Sequence, residues 1–205
     1  MGVWLDCNLT MEKHINSIVA HCYKLLKNIG RIRNVLTQKQ TEMLVHPVIT
    51  PKLDYCNSLS INTSEANLFK LQKVQNAAAR LVVRGRKKKR MSGILKDLHW
   101  LRIESRIIFK VLLLTYKSVY GRSSENLALP YKTHNCRPQD HLLLETKMVN
   151  TKYGKRTFQY AAPRLWNALP VEVRSCDNVE QFKKKIKTIL FEGTNELKRR
   201  AYKYN

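Results

Sequence analysis

Apolar residues three and four positions apart recur through most of this chain, and that spacing restricts it to helices more firmly than any other feature. Met11, Ile15, Ile18, Val19, Cys22, Leu25, Leu26 and Ile29 fall on one face of a helical wheel, which predicts a helix buried along that side. Thr10 or Asn8 can cap its start, and Gly30 stands where a left-handed stop is wanted. A second helix is predicted over 37–56, with Leu44, Val45, Val48, Ile49 and Leu53 inward. Pro47 and Pro51 must break or kink it, since each lacks an N–H and crowds the preceding turn. A third, over 64–84, places Leu71, Val74, Ala78, Leu81 and Val82 on one side.

Residues 94–100 read as a short helix, and 103–120 as a longer one that is apolar nearly all round and therefore central. Residues 121–141 read as loop. Two short strands around a polar turn are predicted at 142–145 and 151–158, then a helical turn at 161–166 that tolerates Pro163 in its first turn. Asp177 or Asn178 caps a last helix with Val179, Phe182, Ile186, Ile189 and Leu190 inward. The expectation is a mainly α protein: a helical bundle followed by a small α+β C-terminal part with a short β-hairpin. Residues 1–9 form a short strand, 10–121 the helical domain, 122–191 the α+β region and 192–205 a flexible tail.

The chain carries 38 basic against 15 acidic residues, a net charge of +23. The excess is even: 17 against 6 in residues 1–100, and 21 against 9 in 101–205. A basic tail would concentrate it, whereas here the whole body is positive. Such a body repels itself unless a polyanion neutralises it, and each neutralised phosphate releases condensed counterions. Nucleic acid is thus the leading partner, a merely well-solvated surface the plainer alternative. On the third helix Lys70, Lys73, Arg80 and Arg84 share a stripe with only the small Ala77 between them. From Arg84 through Arg90 six of seven residues are basic: Arg84, Arg86, Lys87, Lys88, Lys89 and Arg90, with one glycine. That run suits a phosphate clamp or a nuclear-import signal. Tyr153, Phe158 and Trp166 are candidates to stack on bases, although Leu165 and Leu169 beside Trp166 favour a core role.

Catalytic signatures are missing from the sequence. There is no phosphate-cradling G-x-x-x-x-G-K-[ST], no G-x-G-x-x-G and no H-E-x-x-H. No Asp-Asp pair or close set of carboxylates is present to hold two divalent metals. Among six histidines only His14 and His21 share a helix face, seven apart, too far for one metal. Cys7, Cys22, Cys56, Cys136 and Cys176 are odd in number and widely spaced, which points to reduced thiols in a nuclear or cytoplasmic protein and against a disulfide framework or zinc knuckle. The longest apolar run, at 107–116, is interrupted by Lys110 and too short to span a bilayer.

Several stretches, in order, resemble the downstream part of reverse transcriptases from non-LTR (LINE-type) retrotransposons, including the Rex and Jockey-like groups. Gly2-Val-Trp-Leu-Asp-Cys-Asn-Leu-Thr10 with His14-Ile15 resembles the segment that closes the palm and leads into the thumb. Leu53-Asp-Tyr-Cys-Asn57 resembles the "LDYCN" stretch, and Leu71-Gln-Lys-Val-Gln-Asn-Ala-Ala-Ala-Arg-Leu81 the "LQ-x-x-QNAAARL" stretch. Leu95-Lys-Asp-Leu-His-Trp-Leu101 with Arg106-Ile-Ile-Phe-Lys110 resembles "LKxLHWLPVxxRIxFK". Tyr153-Gly-x-Arg-x-Phe158, Ala162-Pro-Arg-Leu-Trp-Asn-x-Leu-Pro170 and Phe182-Lys resemble the family's C-terminal block. Together they cover about residues 2–191. Pro47, and Arg102 where proline is expected, depart from the pattern.

The resemblance implies a palm-closing remnant, a thumb-like bundle and a C-terminal region that grip RNA template and DNA primer by their phosphates. It implies that the endonuclease, fingers and palm lie upstream, with the paired aspartates that would hold magnesium for the parent polymerase. No catalytic or metal-binding residue carries over to this chain, and no cofactor is expected for it. Starting inside the palm-closing segment implies a truncated copy. The alternative is a fragment without function, or a helical module domesticated for protein interaction.

Overall fold

In the computed structural model the residues described are 2–84, 90–121, 127–131 and 142–201. The protein is mainly α-helical, and the chain divides into two compact units, Met1–Arg106 and Ile107–Asn205. The division falls inside a helix, where the sequence placed a boundary after residue 121.

The first unit is built on three mutually packed helices, α1 (Glu12–Ile32), α2 (Gln38–Asp54) and α3 (Glu65–Val82), with the short α4 (Met91–Asp97) against α3. Ile15, Cys22, Leu26 and Ile29 of α1 meet a core shared with Val45, Ile49 and Leu53 of α2 and with Leu71, Val74, Ala78, Ala79 and Val82 of α3. Each fully buried Val, Leu or Ile contributes about 1.5–3 kcal/mol. The predicted inward set for α2 needs correction, because Leu44 is exposed and Val48 only half-buried while Thr41 takes an inward place.

The ends of these helices depart from the sequence reading in instructive ways. Asp6 organises the start of α1 together with Thr10: its carboxylate accepts from the backbone N–H groups of Asn8, Thr10 and Met11 and from the Thr10 hydroxyl, whose oxygen in turn accepts from the Glu12 N–H. These bonds, the Thr10 N–H foremost, hold the Asp6 carboxyl below its usual range. The segment before Asp6 forms no strand. Gly30 does not stop α1, which runs on to Ile32 and a 3-10 turn at Arg33–Val35. Helix α2 continues through both prolines. Pro47 and Pro51 lie on its exposed side, where water can satisfy the carbonyls deprived of their i+4 donors. A capping box fixes its start, the Thr37 side chain accepting from the Gln40 N–H and the Gln40 side chain accepting from the Thr37 N–H.

Helix α5 (Ile103–Val119) begins in the first unit and continues into the second. It is less enclosed than predicted: Phe109, Leu113 and Leu114 are half-buried, and Lys110 and Lys117 are exposed. The second unit adds α6 (Phe158–Asn167), α7 (Val171–Arg174) and α8 (Val179–Ala201), whose helical geometry is interrupted at Gly193. Its core is aromatic: Phe182 stacks on Tyr116 with ring centroids 4.3 Å apart and lies 5.7 Å from Trp166. The hydroxyls of Tyr116 and Tyr120 donate to the carbonyls of Cys176 and Arg174, so both rings gain burial without stranding a polar tip.

Among the described residues no strand is found at 142–145 or 151–158, where the β-hairpin was expected. Residues 151–158 turn through a 3-10 element, Gly154–Arg156, straight into α6, and among the described residues the sole β feature is one antiparallel bridge, Tyr131 to Leu144. Asn167 takes the place of a partner strand, its side chain accepting from the Leu144 N–H and donating to the Leu144 carbonyl, each at 2.9 Å. A side-chain amide presents the same donor and acceptor as a peptide, so one residue satisfies what the sequence assigned to a strand. The tail beyond 191 continues as helix to Ala201, with Leu197 buried.

Candidate nucleic-acid interface

Helix α3 carries the cationic stripe. Ser64 caps it, its hydroxyl accepting from the Asn67 N–H, and the buried face of Leu71, Val74, Ala78 and Val82 fixes its rotation. Lys73 and Arg80 are thereby exposed. Seven residues apart, they are separated by about 10 Å along the axis, roughly three phosphates of one duplex strand at ~3.4 Å each. Lys70 is less available: its Nζ lies 3.1 Å from a Glu12 carboxylate oxygen and 2.9 Å from Asn16 Oδ1. Such an exposed pair is worth about 0–1 kcal/mol, so a phosphate can compete for the lysine.

At the C-terminal end, the stripe leads to Arg84, exposed and in the left-handed backbone region at φ 54°, the conformation that commonly ends a helix and usually falls to glycine. Arg90, also exposed, is the N-cap residue of α4. Arg86, Lys87, Lys88 and Lys89 lie outside the described residues.

Two residues that the sequence did not single out shape this surface. Arg33 is buried, and its guanidinium donates to the Leu81, Val82 and Leu36 carbonyls. A cation on the last carbonyls of α3 satisfies groups left over by the helix and matches its negative end. It thus anchors the root of the basic run, and no local pattern in the sequence pointed to it. Phe69 is 60% exposed, with Lys73 Nζ 4.5 Å from its ring centroid. An aromatic four residues before a lysine on a cationic stripe was the available signal, and the ring holds the lysine by a cation–π contact.

The proposed stacking residues fare differently. Trp166 is fully buried, and its Nε1 donates to the Leu142 carbonyl at 2.7 Å; its indole faces core and cannot meet a base. Phe158 is half-buried at the first turn of α6, and Tyr153 is exposed. Both belong to the second unit, which presents its own cations on α8. There Lys184 and Lys187 are exposed, Lys183 pairs with Glu180, and Lys185 donates to the Glu172 carbonyl. The Glu180 carboxyl is held low, first by its hydrogen bond from Lys183.

Several residues that carry the family resemblance act within the first unit's packing. Gln75, 1% exposed, donates to the Leu101 carbonyl, and Gln72 accepts from the Ile103 N–H while its amide donates to Gln75 and Asn76. The pair pins the turn that enters α5.

Among the described residues no group of three His, Cys, Asp or Glu side chains converges as a metal site, and no helix is long and apolar enough to cross a membrane. Set against known proteins, the chain matches no family profile, no curated protein and no solved structure.

Proposed function

We propose that this chain is a nucleic-acid-binding segment of a non-LTR retrotransposon reverse transcriptase, with a thumb-like first unit that grips template and primer through their backbone phosphates. The observation that carries the reading is the exposed pair Lys73 and Arg80 on one stripe of α3, running into Arg84 and flanked by Phe69, on a body of net charge +23. Phosphate contacts of this kind position a strand without reading its sequence, which suits a protein that must follow any template. In this reading Arg86, Lys87, Lys88 and Lys89 extend the grip, the second unit supplies further cations from α8, and catalysis belongs to the palm and fingers of the parent polymerase. RNA and DNA are both partners, and the protein acts in the nucleus or cytoplasm.

The test is charge reversal at Lys73 and Arg80 together, measured as affinity for a primer–template duplex at several salt concentrations. Loss of two phosphate contacts lowers the slope of log K against log salt by about 2. An unchanged slope would remove α3 from the interface.

A helical module for protein interaction is the second reading, favoured by the exposure of Ile32, Val35 and Met43 in the first unit. Self-association that disappears on Val35→Ser and Met43→Ser would support it.

A further inference from the structure

A cavity of about 180 Å³ opens in the first unit between the N-terminal segment, one face of α1 and the end of α2. Trp4 comes from the first, His14, Ser17 and His21 from the second, and Lys52 and Tyr55 from the third. The helix places His14, Ser17 and His21 at successive turns of one face. His14 and His21 are too far apart to share a metal but well spaced to line one wall.

Three kinds of group meet at this cavity. Trp4, 65% exposed, and the exposed Tyr55 offer ring faces. Lys52 offers a cation. His14 is only 6% exposed, and its Nε2 has no hydrogen-bond partner among the described residues. That nitrogen is itself closed off from the cavity, so the polar edge on this wall is the hydroxyl of the exposed Ser17. Burial also holds the His14 imidazole below its ordinary range, in the neutral form at neutral pH, in which one nitrogen donates and the other accepts. Aromatic faces, a hydrogen-bonding edge and a cation are the three things a nucleotide in a single strand requires. A cavity of ~150 Å³ admits a benzene-sized ring, so this half-open one suits a single planar heterocycle with its sugar and phosphate outside.

We propose that this cavity holds one unstacked nucleobase of a single-stranded nucleic acid, the base beside Trp4 and Tyr55, its edge on Ser17, and its phosphate at Lys52. The inference rests on the nucleic-acid reading above but concerns a different surface from the α3 stripe.

The experiment compares a ten-nucleotide single-stranded DNA with a strand of equal phosphate number whose sugars carry no bases, using the full chain and the variant Trp4→Ala. Side-chain nitrogen shifts of His14 are followed in parallel, with adenosine monophosphate as a separate arm. The base-bearing strand should bind roughly tenfold tighter than the abasic one and shift the His14 nitrogens. Trp4→Ala, a change at an exposed position, should bring the ratio towards one while leaving abasic binding intact. Equal affinity for the two strands, or a ratio untouched by Trp4→Ala, overturns the base pocket and leaves the phosphate grip standing. Failure of both strands to bind overturns the underlying reading as well. His14 shifts produced by adenosine monophosphate with no preference between the strands would assign the cavity to free nucleotides and overturn the strand-bound form.

Discussion

Arg106, at the first turn of α5, grips Asp54, the last residue of α2, through two hydrogen bonds, Nε to Oδ1 at 2.9 Å and Nη2 to Oδ2 at 2.5 Å. Asn57 donates to the same carboxylate. Two residues 52 positions apart are thereby joined within the first unit: Asp54, the acid of the Leu-Asp-Tyr-Cys-Asn segment, and Arg106, the last residue of that unit. The planar guanidinium matches the carboxylate fork, a geometry that lysine cannot reproduce.

Arg106→Lys should therefore lower unfolding stability by about 1–2 kcal/mol, the lower part of the range reflecting the partial exposure of Asp54. A double-mutant cycle with Asp54→Asn, read by urea denaturation, should return a coupling energy of the same sign. Additivity of the two changes would show that the pair contributes nothing net.

Gln75→Ala should cost about 1–3 kcal/mol, because it strands the Leu101 carbonyl and removes a partner of Gln72. Asn76→Ala, on the half-buried flank of the same network, should cost less. Equal losses would indicate that the turn into α5 is not held through Gln75.

Burial pushes the Cys22 thiol up to about 11, against a smaller opposing pull from Lys52. At pH 8 it is therefore protonated as well as enclosed, whereas Cys7 is exposed. Iodoacetamide at pH 8 should label Cys7 in the native protein and spare Cys22 until denaturant is added, since only the thiolate attacks. Comparable native labelling of both would contradict the packing of α1.

His14 gives stability a pH dependence of definite sign. Burial depresses its folded pKa below the ordinary 6.5, so the unfolded chain takes up the proton more readily. The contribution is complete above pH 6.5 and is lost as pH falls below that value. Thermal unfolding between pH 7.5 and 5.5 should show a decline that His14→Phe reduces. An identical decline in the variant would assign the effect elsewhere.

The helices were legible where one apolar stripe decided them. In α1 and α3 the periodic residues are largely those in the core, and Ser64 caps as its type suggests. What escaped was whatever depended on partners distant in sequence. Pro47 and Pro51 look like breaks until the exposed side of α2 is known, because solvent can satisfy the carbonyls they orphan. The alternation in 151–158 looks like a strand until Asn167 is seen to supply the pairing that Leu144 needs. For the candidate interface, periodicity placed Lys73 and Arg80 outward, but no local pattern shows that Glu12 and Asn16 hold Lys70 or that Arg33 closes α3. Trp166 illustrates the opposite limit: its leucine neighbours already pointed inward, and its indole N–H finds a carbonyl there.

Binding of a primer–template duplex by the purified chain between 50 and 200 mM salt tests the phosphate grip most directly. With 6–10 phosphates engaged, affinity should fall roughly 10³–10⁵-fold across that interval, linearly in log salt. Affinity indifferent to salt, or no binding at all in dilute buffer, would contradict it.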